Sequence, residues 1–173
     1  MNQLTTSDHK ALTTRYWTLA LLTMVYALSI LERYILGIVL PQIKEEMALS
    51  DMSLGLLSGT AFALFYATLG LPIARLADRF SRKKIIAYSV LTFSVMTALC
   101  GVTENFVALF IARMGVGVGE AGTSPSSYSI ISDLFQKDQR STAMTIFFIG
   151  GNVGILAGFI AGGYVAAHYG WRE

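Results

Sequence analysis

Four ionisable residues stand inside stretches that are otherwise almost wholly apolar: Glu32 and Arg33 side by side, then Arg113 and Glu120 seven positions apart. A charge in such a run is costly unless it is paired or lines a polar cavity, so these residues mark a place where protons or polar groups are handled. On a helix Arg113 and Glu120 share one face, about 10 Å apart along the axis. Helical rise puts Glu32 and Arg113 at one depth, about 12 Å below the same membrane surface. Glu32 and Arg33 diverge by about a hundred degrees, so one pairs with Arg113 while the other faces a cavity. An Arg in such a ladder can hold an anionic group, and a carboxylate that gains and loses its Arg between conformations changes its proton affinity. The plainer alternative is a static ion pair that locks two helices together.

The elements that must carry these residues are membrane spans. Of 173 residues, 54% are hydrophobic and 14% charged, and the mean hydropathy is +0.56; a soluble domain carries nearer a quarter charged. The pattern predicts an all-α, polytopic helical bundle with five spans, at about 17–40, 53–73, 85–102, 106–131 and 142–169. Pro41 ends the first span, and 41–52 reads as a loop in which Ser50 or Ser53 caps the next helix. Thr103, Glu104 and Asn105 form a tight turn, and 132–140 is a polar loop. Pro125 bends the fourth span.

Basic residues set the orientation. With the N-terminus cytoplasmic, Lys10, Arg15, Arg75, Arg79, Arg82, Lys83, Lys84, Lys137 and Arg140 fall inside, and only Lys44 and Arg172 outside. The expected location is the cell membrane, multi-pass, with lipid as surroundings. A net charge of +2 is too mild to indicate nucleic acid. Enzyme chemistry finds no constellation: His9 and His168 fall on opposite sides, Cys100 is the lone cysteine, and neither a Gly-x-Ser-x-Gly elbow nor a Walker-type phosphate loop occurs. No metal and no cofactor are expected.

Between the second and third spans, 74–84 reads ARLADRFSRKK. Leu76, Ala77, Asp78, Arg79, Arg82 and Lys83 match, position by position, the signature that joins the second and third helices of the major facilitator superfamily, with Ala74 and Ser81 where that family usually has glycine. The chain therefore resembles a major facilitator. The strings LERYILGIVLPQI, ARMGVGVGEAGTSP and SDLF are similar to its spinster-like branch, known for transporting sphingolipids and lysophospholipids in animals; Glu32 stands where that branch usually has Asp. The resemblance implies coupling or substrate-binding roles for Glu32, Arg33, Arg113 and Glu120, and a conformational role for Asp78, Arg79, Arg82 and Lys83, with Asp78 latching onto a helix of a second half.

Gly150, Gly154, Gly158 and Gly162 recur every fourth residue in the fifth span and form a close-packing stripe. It resembles the glycine-rich fifth helix of superfamily antiporters, without that motif's proline. Gly55 and Gly59 share a face in the second span, and Gly115, Gly117 and Gly119 favour close packing in the fourth. Tyr16, Trp17, Tyr169 and Trp171 fit an interfacial belt, while Tyr34, Phe65, Tyr66 and Tyr128 are candidates to line a cavity.

The expected function is that of a secondary active transporter, proton-coupled, for an amphipathic or anionic organic solute, lipid-like solutes included. Residues 1–173 read as an incomplete N-terminal domain that lacks a sixth span and the second half. The other reading is a truncated, non-transporting membrane protein that packs against partner helices through its glycines.

Overall fold

The computed structural model describes residues 6–60, 63–64, 66–69, 72–73, 75 and 80–172. Helix α1 (Thr6–Met47) is followed by α2 (Asp51–Gly55), which runs into a π-helical turn (Leu56–Thr60). Then come α3 (Arg82–Gly101), α4 (Phe106–Glu120), α5 (Thr123–Leu134) and α6 (Lys137–Ala157), a second π-helical turn (Gly158–Gly162), and α7 (Gly163–His168). Among the described residues four helical stretches are long and apolar enough to cross a membrane: Leu12–Met47, Arg82–Gly101, Phe106–Leu134 and Lys137–His168. The five expected spans thus appear as four here, because the second falls partly outside the described residues; those described between 63 and 75 are helical.

Pro41 does not end the first helix, contrary to the sequence expectation. Proline removes one backbone hydrogen bond, yet α1 continues to Met47 because the extension is packed. Ile43 is buried with Leu57, Leu109 and Ala166, and the Gln42 amide donates to the Ala166 carbonyl at 2.8 Å. The helix stops where Ala48 turns to φ 48° and Leu49 N–H reaches back to the Lys44 carbonyl at 3.0 Å, a left-handed cap. Ser50, rather than Ser53, caps α2, accepting from Ser53 N–H at 3.2 Å.

The expected loop at 132–140 shrinks to Phe135 and Gln136, since Lys137 and Arg140 already belong to α6. Arg140 Nε donates to the Phe135 carbonyl at 3.1 Å, and Arg15 spans Gln139 at 2.6 Å and the Phe135 ring at 4.7 Å. The first of these contacts satisfies the Phe135 carbonyl in the turn. At the other end, Asn105 caps α4 by accepting from Ala108 N–H at 2.9 Å. The fourth span is interrupted between Glu120 and Thr123, four residues before Pro125, whose ring excludes a helical carbonyl at Ala121.

The bundle has two pairings, α1 along α6 and α3 along α4. Every fourth residue of α6 and the turn after it meets every fourth residue of α1: Gly150 faces Thr23, Gly154 faces Ala27, Gly158 faces Leu31 and Gly162 faces Ile35. A Cβ at Gly150 would lie 2.6 Å from the Thr23 carbonyl oxygen, so only glycine permits this separation. Leu21, Met24, Leu91, Val95, Val153 and Leu156 point outward, as lipid contact requires. Hydroxyls such as Thr23 and Ser127 bond to carbonyls four residues back in their own helices.

One apolar cluster, with Leu22, Ile131 and Phe147, fills the end near the basic segment; another, with Leu36, Ile43 and Leu109, fills the opposite end. The four charges lie in the layer between them.

Candidate functional site

The layer is built from α1 and α4. Arg113 forms an ion pair with Glu32 through Nη1 and Oε1, and Arg33 Nη2 meets Glu120 Oε2 at 2.6 Å. Adjacent residues on α1 therefore reach residues seven apart on α4. The equal-depth expectation for Glu32 and Arg113 describes their contact. The second pair departs from the expectation that the other residue faces a cavity: Arg33 holds Glu120, its long side chain spanning the rise between them, and Glu32, paired with Arg113, is the one that lines the cavity.

The two pairs differ in surroundings. The side chains of Arg113 and Glu32 are 3% and 11% exposed, whereas Glu120 is fully enclosed and Arg33 is 39% exposed. The Arg33 guanidinium also stands 5.5 Å from the Tyr66 ring centroid. Among the described residues, Glu32 Oε2 and Glu120 Oε1 are buried without a hydrogen-bond partner. Each acid thus meets its Arg through one oxygen.

A third helix contributes a group that sequence spacing did not single out. Thr97 of α3 donates its hydroxyl to Glu32 Oε1 at 3.3 Å. Its only sequence signal is a hydroxyl within an uncharged span. A cavity of about 580 Å³ opens beside this pair, lined by Leu28, Ile35, Leu36, Phe93, Thr97 and Cys100 as well as Glu32 and Arg113. Of the aromatic candidates, Tyr66 lies by Arg33 and Tyr34 packs on Phe159. Tyr128 belongs to a ring cluster with Phe147 and Phe148, and Phe65 lies outside the described residues.

The basic segment is only partly described, and Asp78 and Arg79 lie outside the described residues. Arg82, at the start of α3, pairs with Asp133 at the end of α5, tying the two helices at that end, and Lys83 is exposed. Of the glycines, Gly115 packs on Met96 and Gly119 on the Phe93 backbone, Gly117 is buried, and Gly55 and Gly59 have open space. Trp171, expected in an interfacial belt, donates its indole N–H to Glu46 Oε2 at 2.5 Å. Among the described residues no three His, Cys, Asp or Glu converge as metal ligands.

The sequence model of the Major Facilitator Superfamily matches residues 22–173. An MFS-type efflux pump of Mycolicibacterium smegmatis is 30% identical over 159 residues, covering 91% of this chain and 37% of that protein. Protein spinster homolog 1 of Xenopus tropicalis is 36% identical over 149 residues, covering 85% and 28%. The crystal structure of a bacterial homolog of the human lysosomal transporter Spinster, inward-facing and unoccupied, superposes with a TM-score of 0.83 at 40% identity over 88% of this chain and 32% of that one. The chain thus spans about a third of the length of the relatives it matches.

Proposed function

Because the chain belongs to the Major Facilitator Superfamily, we propose that residues 1–173 form the first five spans of a spinster-like, proton-coupled secondary transporter for an amphipathic or anionic organic solute. In this reading the N-terminus is cytoplasmic, the protein sits in the cell membrane, and a second half supplies the facing wall of the pathway. Asp78, Arg79, Arg82 and Lys83 serve as its conformational motif.

The observation that carries the proposal is the unequal pairing of Arg33 with Glu120. The acid is enclosed while the base keeps 39% of its side chain exposed, so Arg33 can be reached by an anionic group from outside the bundle. When an anion takes Arg33, Glu120 loses its counter-charge and binds a proton in order to remain buried. Glu32 and Arg113 form a second, more enclosed pair on the same two helices, able to make the same exchange. Solute and proton are then linked through one Arg.

The non-transporting reading relied on the glycine stripe as a surface for partner helices. That surface is taken by α1, which leaves transport as the better account.

The test is uptake of a fluorescent lysophospholipid and of a small aromatic carboxylate by vesicles carrying the protein with the remainder of its reading frame. Accumulation of either probe that follows an imposed pH gradient, and collapses with a protonophore, is the expected result. Transport of both that ignores the gradient would refute proton coupling; absence of flux for both, with intact membrane insertion, would favour the packing role.

A further inference from the structure

At the end of the bundle farthest from the basic segment, three stretches of chain converge on one guanidinium. Arg172 Nε and Nη2 donate to Glu46 Oε1 at 3.0 and 2.6 Å, and Nη1 donates to the carbonyls of Gly101 and Thr103 at 3.0 and 2.6 Å. The group stands 4.3 Å from the Trp171 ring centroid. The Trp171 indole N–H takes the other Glu46 oxygen at 2.5 Å, so both oxygens of that carboxylate are engaged. Gly101 and Thr103 carry carbonyls that the end of α3 cannot satisfy internally, where a cation is favoured.

The backbone is shaped for this contact. Gly170 adopts φ +96°, a conformation that favours glycine, and so turns Trp171 and Arg172 back over the bundle. A Cβ at Gly101 would lie 2.8 Å from the Arg172 carbonyl oxygen, which means the approach depends on glycine there too. Glu46 is in reach only because α1 continues past Pro41.

We propose that Arg172 is a positioning residue that fixes the axial register of α1 against the α3–α4 hairpin, whose second helix carries Arg113 and Glu120, so that the Glu32–Arg113 and Arg33–Glu120 pairs depend on it. Glu46 lies fourteen residues beyond Glu32 on α1, about 21 Å by helical rise, and Thr103 precedes the start of α4 at Phe106, which itself lies seven residues, about 10 Å, before Arg113. The clasp therefore joins α1 to the end of α3 and the turn that leads into α4, well away from the ion pairs. In the transport reading, on which this role rests, the mid-membrane pairs open during the cycle. A fixed anchor at one end lets them re-form in the same register.

Cys100, the single cysteine, is a native reporter, because it lines the cavity together with Glu32, Arg113 and Arg172 and adjoins Gly101. Arg172→Gln in the full chain should make Cys100 react several-fold faster with N-ethylmaleimide, and Glu46→Gln should do so to a smaller degree. Arg172→Lys keeps the charge but not the fork, and should restore less than half of the protection. A register role also predicts that the melting-temperature losses of Arg172→Gln and Arg113→Gln are non-additive, although sites this far apart normally add. Unchanged Cys100 reactivity in both Arg172→Gln and Glu46→Gln, or strictly additive melting shifts, would overturn the proposal. Should Arg172→Gln fail to fold, Glu46→Gln combined with Arg113→Gln decides by the same two readouts. Neither readout needs a transported solute, so failure here is separable from failure of the uptake test.

Discussion

Arg33 and Glu120 meet at 2.6 Å across 87 positions of sequence, and their neighbours in the ladder, Glu32 and Arg113, pair across 81. Both contacts join α1 to α4, so two ion pairs of one layer share two helices. Buried pairs add little net stability when intact, but breaking one strands a charge in a low-dielectric interior.

That asymmetry predicts the behaviour of the more enclosed pair. Glu32→Gln and Arg113→Gln should each destabilise the chain in detergent micelles by about 3–5 kcal/mol, and the double variant by clearly less than the sum. A chemical-denaturation cycle measures this. Additive losses would mean that the two side chains do not depend on one another.

The α1–α6 seam predicts a contrast among glycines. Gly150→Ala and Gly154→Ala press a methyl group into the α1 backbone and should each lower stability by about 1–3 kcal/mol. Gly55→Ala meets nothing within 4 Å and should be neutral or stabilising, by up to about 1 kcal/mol. Thermal melts of the three variants decide; equal losses would show that the seam is looser than described.

At the ends of the helices, Asn105→Ala removes the side-chain cap of α4 and should cost about 1 kcal/mol. Arg82→Ala breaks a pair whose acid, Asp133, is 66% exposed, and should cost less than about 1 kcal/mol. If Arg82→Ala proves the more damaging by chemical denaturation, the basic segment contributes more to the fold than its solvated ion pair explains.

Much of this architecture was legible from the residues. Apolar run length marked the four spans found among the described residues, the second of the five expected falling partly outside them, and helical rise placed Glu32 level with Arg113. Four-residue spacing marked Gly150, Gly154, Gly158 and Gly162 as a packing surface, although nothing in that spacing names Thr23, Ala27, Leu31 and Ile35 as the opposing row. The extension of α1 past Pro41 was illegible because tertiary burial of Ile43 offsets the lost backbone hydrogen bond. The Arg33–Glu120 contact depends on side-chain reach, which rise and rotation do not encode. The Arg172–Glu46 clasp joins residues 126 apart, each of which alone reads as an ordinary interfacial charge.

The central claim is that Glu120 and Glu32 exchange protons as their Arg partners are released. Its most direct test is pH-gradient-driven uptake of the lysophospholipid and carboxylate probes with Glu120→Gln and Glu32→Gln, each compared with the unaltered protein at equal membrane content. The account predicts that accumulation falls to the level reached without a gradient in at least Glu120→Gln, while gradient-independent exchange persists. Unchanged gradient-driven accumulation in both variants would contradict it.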